Sequence, residues 1–281
     1  MNTLIVGLVA ALCWGIHDVI VRKISQTAPL MATLLGVLVV GGIFQLIMLL
    51  ATGGYSPLPS DSLYFSLAAG AAYLMGAAAL YGAFHRGPVK IVAPIIGGFP
   101  ILSVATASIR GEYISNWQWA AVLVVVLAIA VVAIFSRDDD DEMPALGPTI
   151  LLSAIASFGF FAAFALGQEA AKLGSEQTSV LVTRATCILL LLPVFVLFPI
   201  PIWAGKSAVK TIIVMGILDG IALYSVLSAG GMESPHFASV AASTFGLVTV
   251  ILAWAFLREK MTSIQWVGCA LAFAAIGALS I

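Results

Sequence analysis

Charged residues are scarce in this sequence, and their scarcity excludes a water-soluble fold. Only 9% of the 281 residues are charged, 62% are hydrophobic, and the mean hydropathy is +1.13. Because ionisable side chains are costly in a bilayer but abundant on soluble surfaces, this balance indicates a membrane protein. The net charge of -1 includes no basic cluster, so we expect no binding of nucleic acid.

Cysteine and histidine are also sparse, and their spacing argues against metal and catalytic sites. The three cysteines lie in different apolar runs without a CxxC pair, which indicates buried, inert thiols: Cys13, Cys187 and Cys269. The three histidines are scattered along the chain: His17, His85 and His236. No Ser/His/Asp grouping accompanies them. We therefore expect no metal, no cofactor and no enzymatic activity, and a lipid-modifying membrane enzyme is a weaker alternative.

Ten apolar runs divide the chain, and each can cross about 30 Å of hydrocarbon at about 1.5 Å per helical residue. They cover approximately residues 3–22, 28–51, 62–84, 90–109, 116–135, 147–168, 177–199, 208–230, 236–256 and 262–281. Continuous runs of this length fit helices, since barrel strands would alternate over about ten residues. The first run lacks a preceding basic segment, so we expect a retained span rather than a cleavable signal peptide. The sequence thus predicts an all-α membrane protein with ten transmembrane helices.

The segment "RDDDDEMPAL", residues 137–146, contains the densest run of charge and a proline. Contiguous aspartates repel one another, so we interpret this segment as a solvated acidic linker rather than a divalent-cation site. It divides the chain into residues 1–136 and 147–281, and each part contains five apolar runs.

The two parts repeat each other. Gly87-Pro88, Glu112 and Gln118-Trp119 recur 147 residues later as Ser234-Pro235, Glu259 and Gln265-Trp266. Weaker matches relate Leu80-Tyr81 to Leu223-Tyr224 at an offset of 143, and Trp14-Gly15 to Phe158-Gly159. Because five is odd, the second part must start on the opposite side of the membrane, which predicts inverted repeats of the kind that transporters use.

These segments resemble a known family. "GPVKIVAPI…GEYISNWQW" and "SPHFASVAA…REKMTSIQWVGCALAFAAIGAL", together with Trp14-Gly15, are similar to EamA-type members of the drug/metabolite transporter superfamily. The first repeat departs from the pattern because it has no glycine between Gly111 and Gly147. The resemblance covers the whole chain and implies a carrier of small organic solutes such as amino acids, other metabolites or drugs, often exported across the plasma (inner) membrane.

The orientation in the membrane has two conflicting indications. Most lysines and arginines follow the odd-numbered runs or precede the even-numbered ones, so the positive-inside rule favours external termini. Many relatives of this type are drawn with cytoplasmic termini. Some of these cations could serve the transport site instead of setting the topology.

Two opposite charges lie deep within predicted helices, where such groups are functional candidates. Asp219 is halfway along the eighth run and Arg184 is a third of the way into the seventh. They could form a structural salt bridge or two walls of one wet cavity. The repeat aligns Asp219 with Gly76 and gives neither charge a symmetric partner, which favours asymmetric recognition of a solute.

The first helix carries a second polar group. Trp14 and Asp18 lie one helical turn apart, with His17 beside them. Asp18 could pair with Arg22 or Lys23 near the helix end. Alternatively, Trp14, His17 and Asp18 face the cavity, where an aromatic ring, an imidazole and a carboxylate could hold an amine or exchange protons.

Tyrosines and prolines complete the candidate set. Tyr81 and Tyr224 occupy repeat-related positions and could share a binding role, whereas we interpret Gln45, Tyr73 and Gln168 as structural. The phenylalanines at 158, 160, 161 and 164 are expected to be packing residues. Three prolines interrupt helical hydrogen bonding and are candidate gates: Pro94, Pro100 and Pro193.

We therefore predict a secondary transporter that moves a small polar or zwitterionic, amino-acid-like solute by alternating access. The predicted solute-binding residues are Trp14, His17, Asp18, Tyr81, Arg184, Asp219 and Tyr224. The alternative is a proton-coupled exporter of lipophilic cations, in which Asp18 or Asp219 exchanges protons for drug. A non-transporting receptor or scaffold is a third, weaker interpretation. The sequence does not indicate an oligomeric state.

Overall fold

The computed structural model describes residues 2–86, 92, 95–135, 146–257 and 262–278, and these contain helices and no strand. The helices of the first half are α1 (Asn2–Ile24), α2 (Leu30–Thr52), α3 (Ser60–Arg86), α4 (Pro100–Ile109) and α5 (Asn116–Ile134). Those of the second half are α6 (Leu146–Leu173), α7 (Glu176–Leu197), α8 (Val209–Ser228), α9 (His236–Ala242), α10 (Phe245–Leu257) and α11 (Ser263–Ala278). Short 3-10 turns, Lys206–Ala208 and Ala229–Gly231, flank α8.

Several helices have the length and composition of membrane spans. Within the described part of the chain six qualify: Thr3–Ile24, Leu30–Thr52, Ser60–Arg86, Gly147–Leu173, Glu176–Leu197 and Lys206–Gly231. Shorter apolar helices cover Pro100–Ile109, Asn116–Val131 and Ser263–Ala275. Large aliphatic side chains point outward from the bundle, as in Ile109, which is 85% exposed. The chain is therefore an integral, multi-pass, helical membrane protein, and the number of ten crossings stays a prediction.

The two ends of the bundle can be defined by contacts between distant segments. At one end, called the terminal end, the Thr3 hydroxyl donates to the Glu233 carbonyl (2.8 Å) and the Trp117 indole donates to the Ala278 carbonyl (3.3 Å). At the other, called the basic end, Arg22 donates to the Phe84 carbonyl (3.0 Å). Glu112, shortly before Trp117, lies 3.1 Å from His236, close to Glu233, so the start of α1 and the last described residue of α11 lie at the same end.

The direction of α6 follows from its last turns. Gln168 of α6 donates to the Pro235 carbonyl (3.1 Å), and Glu233 beside it contacts the start of α1. α6 therefore ends where α1 begins, so the first helices of the two halves run in opposite directions.

Helix pairing is nearly symmetric between the halves. The first helix of each half packs along the third helix of the other half: α1 along α8, and α6 along α3. The second helix of each half contacts that same third helix: α2 contacts α8, and α7 contacts α3. α5 pairs with α11. Glycines permit the closest approaches: a Cβ added at Gly159 of α6 would lie 2.6 Å from Gly76 Cα of α3. At Gly216 of α8, an added Cβ would lie 2.5 Å from Val40 Cβ of α2.

The repeated glutamines begin the fifth helix of each half. The Gln118 side-chain oxygen accepts from the Ser115 backbone amide (3.0 Å), and the Gln118 backbone amide donates to the Ser115 hydroxyl (3.2 Å). Gln265 and Thr262 form the same reciprocal pair (2.7 and 3.4 Å) at the start of α11. Both are capping boxes, which satisfy amide donors that a helix start leaves free. This structural role explains why the motif recurs at an offset of 147 residues.

The fourth run of each half is interrupted inside the bundle. Residues 97–99 form a turn before α4, and Ser243 and Thr244 separate α9 from α10. The Ser243 and Thr244 hydroxyls donate to the carbonyls of Val240 (2.7 Å) and Ala241 (2.6 Å). Irregular backbone at membrane depth is tolerated where it is buried in protein or lines a cavity. Both interruptions lie beside the candidate site.

Candidate functional site

A cavity lies in the centre of the bundle, between the two halves. Only about 30 Å³ of it can hold the centre of a water molecule, so the cavity is narrow in this conformation. Its aromatic walls are Trp14, Tyr73, Tyr81, Phe99, Phe160, Phe164 and Phe245. Its charged or titratable lining residues are His17, Asp18 and Asp219, and aliphatic side chains at 34, 37, 38, 77 and 80 complete it.

Helical spacing places these groups on the cavity wall. Trp14, His17 and Asp18 lie on one face of α1, and Tyr73 and Tyr81 lie two turns apart on α3. The aromatic rings pack against one another: the ring centroids of Trp14 and Phe164 are 5.3 Å apart and stacked. Aromatic faces and edges of this kind offer an apolar body a shaped surface and a cation a π-face.

The Asp219 carboxylate accepts hydrogen bonds from three side chains. The Trp14 indole donates to Asp219 Oδ1 (3.0 Å), and the Tyr73 hydroxyl donates to the same oxygen. Arg184 Nη1 donates to Asp219 Oδ2 at 2.6 Å. Asp219 is 3% exposed and Arg184 is fully buried. Each carboxylate oxygen thus has a donor, as a buried charge requires.

Arg184 contacts Asp219 on the side away from the cavity and does not line the cavity. Its guanidinium carbon lies 5.4 Å from the centre of the Tyr73 ring, a cation–π contact. Gly41 of α2 faces this group, because an added Cβ there would lie 3.4 Å from Arg184 Cζ. The structure therefore brings the two predicted charges together as a salt bridge, with one of them on the cavity wall.

Asp18 has different surroundings. His17 Nδ1 lies 3.1 Å from Asp18 Oδ1, and the Tyr81 hydroxyl lies 3.2 Å from His17 Nε2. Asp18 is 2% exposed, and its Oδ2 has no hydrogen-bond partner among the described residues. Arg22, the expected interfacial partner, donates instead to the Phe84 carbonyl. The cavity therefore contains a buried carboxylate oxygen that is free to accept.

The remaining predicted residues lie apart from this cluster. Tyr224 lines a separate groove with Gln45 and Gln177, away from the central cavity. Pro100 is the first residue of α4, directly after the turn at 97–99, and Pro193 lies inside α7 near its end. Pro94 is outside the described residues. The gating roles of these prolines stay predictions.

A polar vestibule lies over the cavity at the terminal end. Its volume is about 320 Å³, and it lies between α4, the end of α6 and residues 230–239. The Arg110–Glu169 ion pair, at 3.4 Å, crosses it, and Glu112 lies 3.1 Å from His236 without hydrogen-bond alignment. Along α4 the vestibule begins one turn beyond Phe99 of the cavity wall. The vestibule thus lies at the terminal end, about one helical turn from the cavity wall.

Five aromatic residues of the cavity wall are absent from the predicted site. Phe99 and Phe245 carry no prediction, and Tyr73, Phe160 and Phe164 are predicted to be structural. A signal for the first two is present: Phe99 stands in "GGFP" and Phe245 in "STFG", where glycine, proline or hydroxyl residues interrupt an apolar run. The other three lie on regular helices, and only the fold decides which face of a helix meets a cavity.

A multi-pass helical membrane protein with an enclosed polar and aromatic cavity between two similar halves has the form of a membrane transporter. The family model described as "EamA-like transporter family" matches residues 1–134 and again residues 147–281. The chain therefore belongs to the EamA-like transporter family.

A comparison with a solved structure bears on the fold. A crystal structure of another protein is similar with a TM-score of 0.80, at 17% identity, over 99% of this chain and 98% of the other. At that identity the likeness shows the fold alone. No curated protein matches the chain.

Proposed function

We propose that this chain is a secondary transporter that moves a small amine-bearing, amino-acid-like organic solute by alternating access, as an exporter in the plasma membrane. It crosses the bilayer ten times as two inverted five-helix repeats, joined at residues 137–146. The opposite directions of α1 and α6, the exchanged helix pairing and the two matches to one family model support this arrangement. Rocking one repeat against the other would open the cavity to each side in turn.

The unpartnered Oδ2 of Asp18 carries the proposal for the solute. A buried carboxylate oxygen without a donor is costly, and an ammonium group would supply that donor. The surrounding aromatic rings would hold the organic body and attract the cation. The nearby Trp14 indole donates to Asp219, and both His17 nitrogens have partners, so these groups would meet the carboxylate of a zwitterionic solute only if those contacts opened.

Asp219 and Arg184 contribute differently in this proposal. Asp219 lines the cavity, but Arg184 compensates its charge, so Asp219 would attract an ammonium group fully only if the salt bridge opened. Arg184 would reach a solute only if the salt bridge opened during the transport cycle. Tyr81 orients His17 through its hydroxyl. Tyr224 contributes only if the repeats rearrange, because it lies in a separate groove.

Three probes with the same phenyl group test this function: phenethylamine, phenylalanine and 3-phenylpropionate. We expect the two amines to raise the unfolding temperature of the purified protein and the carboxylate alone to leave it unchanged. In Asp18→Asn, amine affinity should fall about 10- to 150-fold, since a charge-assisted hydrogen bond contributes about 1.5–3 kcal/mol. Asp61→Asn, at an exposed acid at the start of α3, is the matched control.

Flux in proteoliposomes completes the test. Saturable counterflow of a bound amine is expected in the wild type and should be lost in Asp18→Asn. Binding without any flux would contradict transport. Equal binding by all three probes, or unchanged binding by Asp18→Asn, would contradict recognition of an amine.

Proton exchange is the second candidate, and the Tyr81–His17–Asp18 contacts favour it. An imidazole that bridges a hydroxyl and a carboxylate can pass a proton to Asp18 Oδ1, and the ammonium group would bind Oδ2 of the same carboxylate, so proton and amine would compete for its charge. The cavity would then take up a proton when the solute leaves. An amine flux that does not change when a pH gradient is imposed would refute this coupling.

A further inference from the structure

A second opening lies between α1 and α8 at the basic end, away from the central cavity. About 520 Å³ of it can hold the centre of a water molecule, against about 30 Å³ in the central cavity. The groove is open at the surface of the bundle, so it is accessible from outside in the conformation described, whereas the central cavity is narrow.

The rim of the groove is basic and rich in hydroxyls. Lys23 of α1 and Lys210 of α8 line it, with the hydroxyl side chains of Thr27, Ser207 and Thr211. No acidic side chain is among its lining residues within the described ranges, and neither lysine forms an ion pair there. Two cations surrounded by hydroxyl donors fit a phosphate group.

The deeper part of the groove is aliphatic. Val19 and Ile20 of α1 line it one turn, or about 6 Å, further into the bundle than Lys23. Val214 of α8 continues the same surface one turn beyond Lys210 and is 48% exposed. A ligand that fits this gradient has an anionic head and an apolar tail.

The corresponding place in the other half is closed. The equivalent seam runs between α3 and α6 at the terminal end, where the Ser62 hydroxyl donates to the Ala170 carbonyl at 2.8 Å. At offsets of 143 and 144 residues, the positions of the two lysines are taken by Leu67 and Gly167, which carry no charge. A feature that the scaffold needed would recur in both halves, so the open, basic groove points to a ligand of its own.

We propose that this groove binds an anionic glycerophospholipid. Its phosphate lies between Lys23 and Lys210, and the part of an acyl chain nearest the headgroup lies along Val19, Ile20 and Val214. A basic side chain near a membrane surface strengthens binding of anionic lipid about fivefold, so the pair accounts for about 25-fold. The bound lipid fills the seam between α1 and α8 and stabilises this conformation of the bundle.

The acidic linker, residues 137–146, is the competing occupant that this chain itself offers. In the sequence it lies between α5 and α6, and residues 137–145 are outside the described part of the chain. A zwitterionic lipid and a free phosphate ion also compete for the groove. The experiment separates all three from the anionic lipid.

The test compares phosphatidylglycerol with phosphatidylcholine of the same acyl chains, added to delipidated protein in detergent. Affinity is measured by native mass spectrometry, and stability by the unfolding temperature. The variants are Lys23→Gln with Lys210→Gln, the charge-retaining pair Lys23→Arg with Lys210→Arg, and Lys206→Gln as matched control. Lys206 is an exposed lysine at the same end that does not line the groove.

Phosphatidylglycerol should bind and stabilise the wild type more strongly than phosphatidylcholine. The glutamine pair should lose about 25-fold in affinity for phosphatidylglycerol only, while the arginine pair and Lys206→Gln keep it. Equal effects of the two lipids, or an equal loss in Lys206→Gln, would overturn the proposal. So would equal stabilisation by glycerol 3-phosphate. Replacing the four aspartates at 138–141 by asparagine should leave the affinity for phosphatidylglycerol unchanged, and a rise in that affinity would assign the lysines to the linker.

Discussion

Removal of Arg184 should reveal how strongly the buried ion pair holds the site. In Arg184→Gln, Asp219 would keep its charge at 3% exposure and lose the donor at 2.6 Å from Oδ2. Breaking a buried pair by removing one partner costs about 3–5 kcal/mol, because the remaining charge is uncompensated. Trp14 and Tyr73 would still donate to Oδ1, which favours the lower half of this range.

Arg110→Gln is the matched control, since it makes the same substitution in an exposed ion pair. The Arg110 and Glu169 side chains are 49% and 28% exposed, and their closest atoms are 3.4 Å apart. Exposed pairs of this kind contribute about 0–1 kcal/mol. The free energy of unfolding, measured by titration from mild detergent into SDS, should therefore separate the two variants by at least about 2 kcal/mol.

The double variant Arg184→Gln with Asp219→Asn tests whether the two charges stabilise each other. It removes both charges, so it should be more stable than Arg184→Gln alone, with a coupling energy of about 2–3 kcal/mol. Additive effects of the two substitutions would show that the charges do not stabilise each other. A loss in Arg184→Gln no larger than in Arg110→Gln would have the same meaning.

Two further predictions use the same unfolding assay. Gly159→Ala should destabilise the protein by about 1–3 kcal/mol, because its Cβ would meet Gly76 backbone atoms at 2.6 Å; Gly147→Ala, with nothing within 4 Å, should be near neutral, and equal effects would refute the close contact. Trp14→Phe should cost about 1.5–3 kcal/mol, because it removes the indole donor to the Asp219 carboxylate, and an unchanged stability would contradict that bond.

The fold could be predicted from the sequence to the extent that its signals are local. Apolar runs predict helices because every backbone group must be paired in lipid, and the repeated Gln118 and Gln265 mark helix starts through capping. The interruptions at 97–99 and at Ser243 and Thr244 are harder to predict, because the surrounding residues remain apolar. Their backbone groups are satisfied by contacts that appear only in the folded chain.

The candidate site was predictable in part for the same reason. Deep charges such as Asp219 are visible in any apolar run, since their burial is costly wherever they face. The partner of Asp18 was not predictable, because Arg22 one turn away competes on the helix surface, and only tertiary contacts direct it to the Phe84 carbonyl. The position of Tyr224 outside the cavity likewise depends on how α8 is rotated against α2.

Alternating access to the central cavity is tested most directly by labelling a single cysteine there from each side of the membrane. Ala77 lines the cavity and is 5% exposed, so Ala77→Cys, in a chain whose three native cysteines are replaced by alanine, places a thiol at the proposed binding position. A membrane-impermeant maleimide should reach this thiol from either face of a proteoliposome, and phenethylamine should slow labelling from both. Ser207→Cys, at the basic end, should react from one face only. Labelling of the Ala77→Cys thiol from a single face, unaffected by phenethylamine, would contradict the proposed transport cycle.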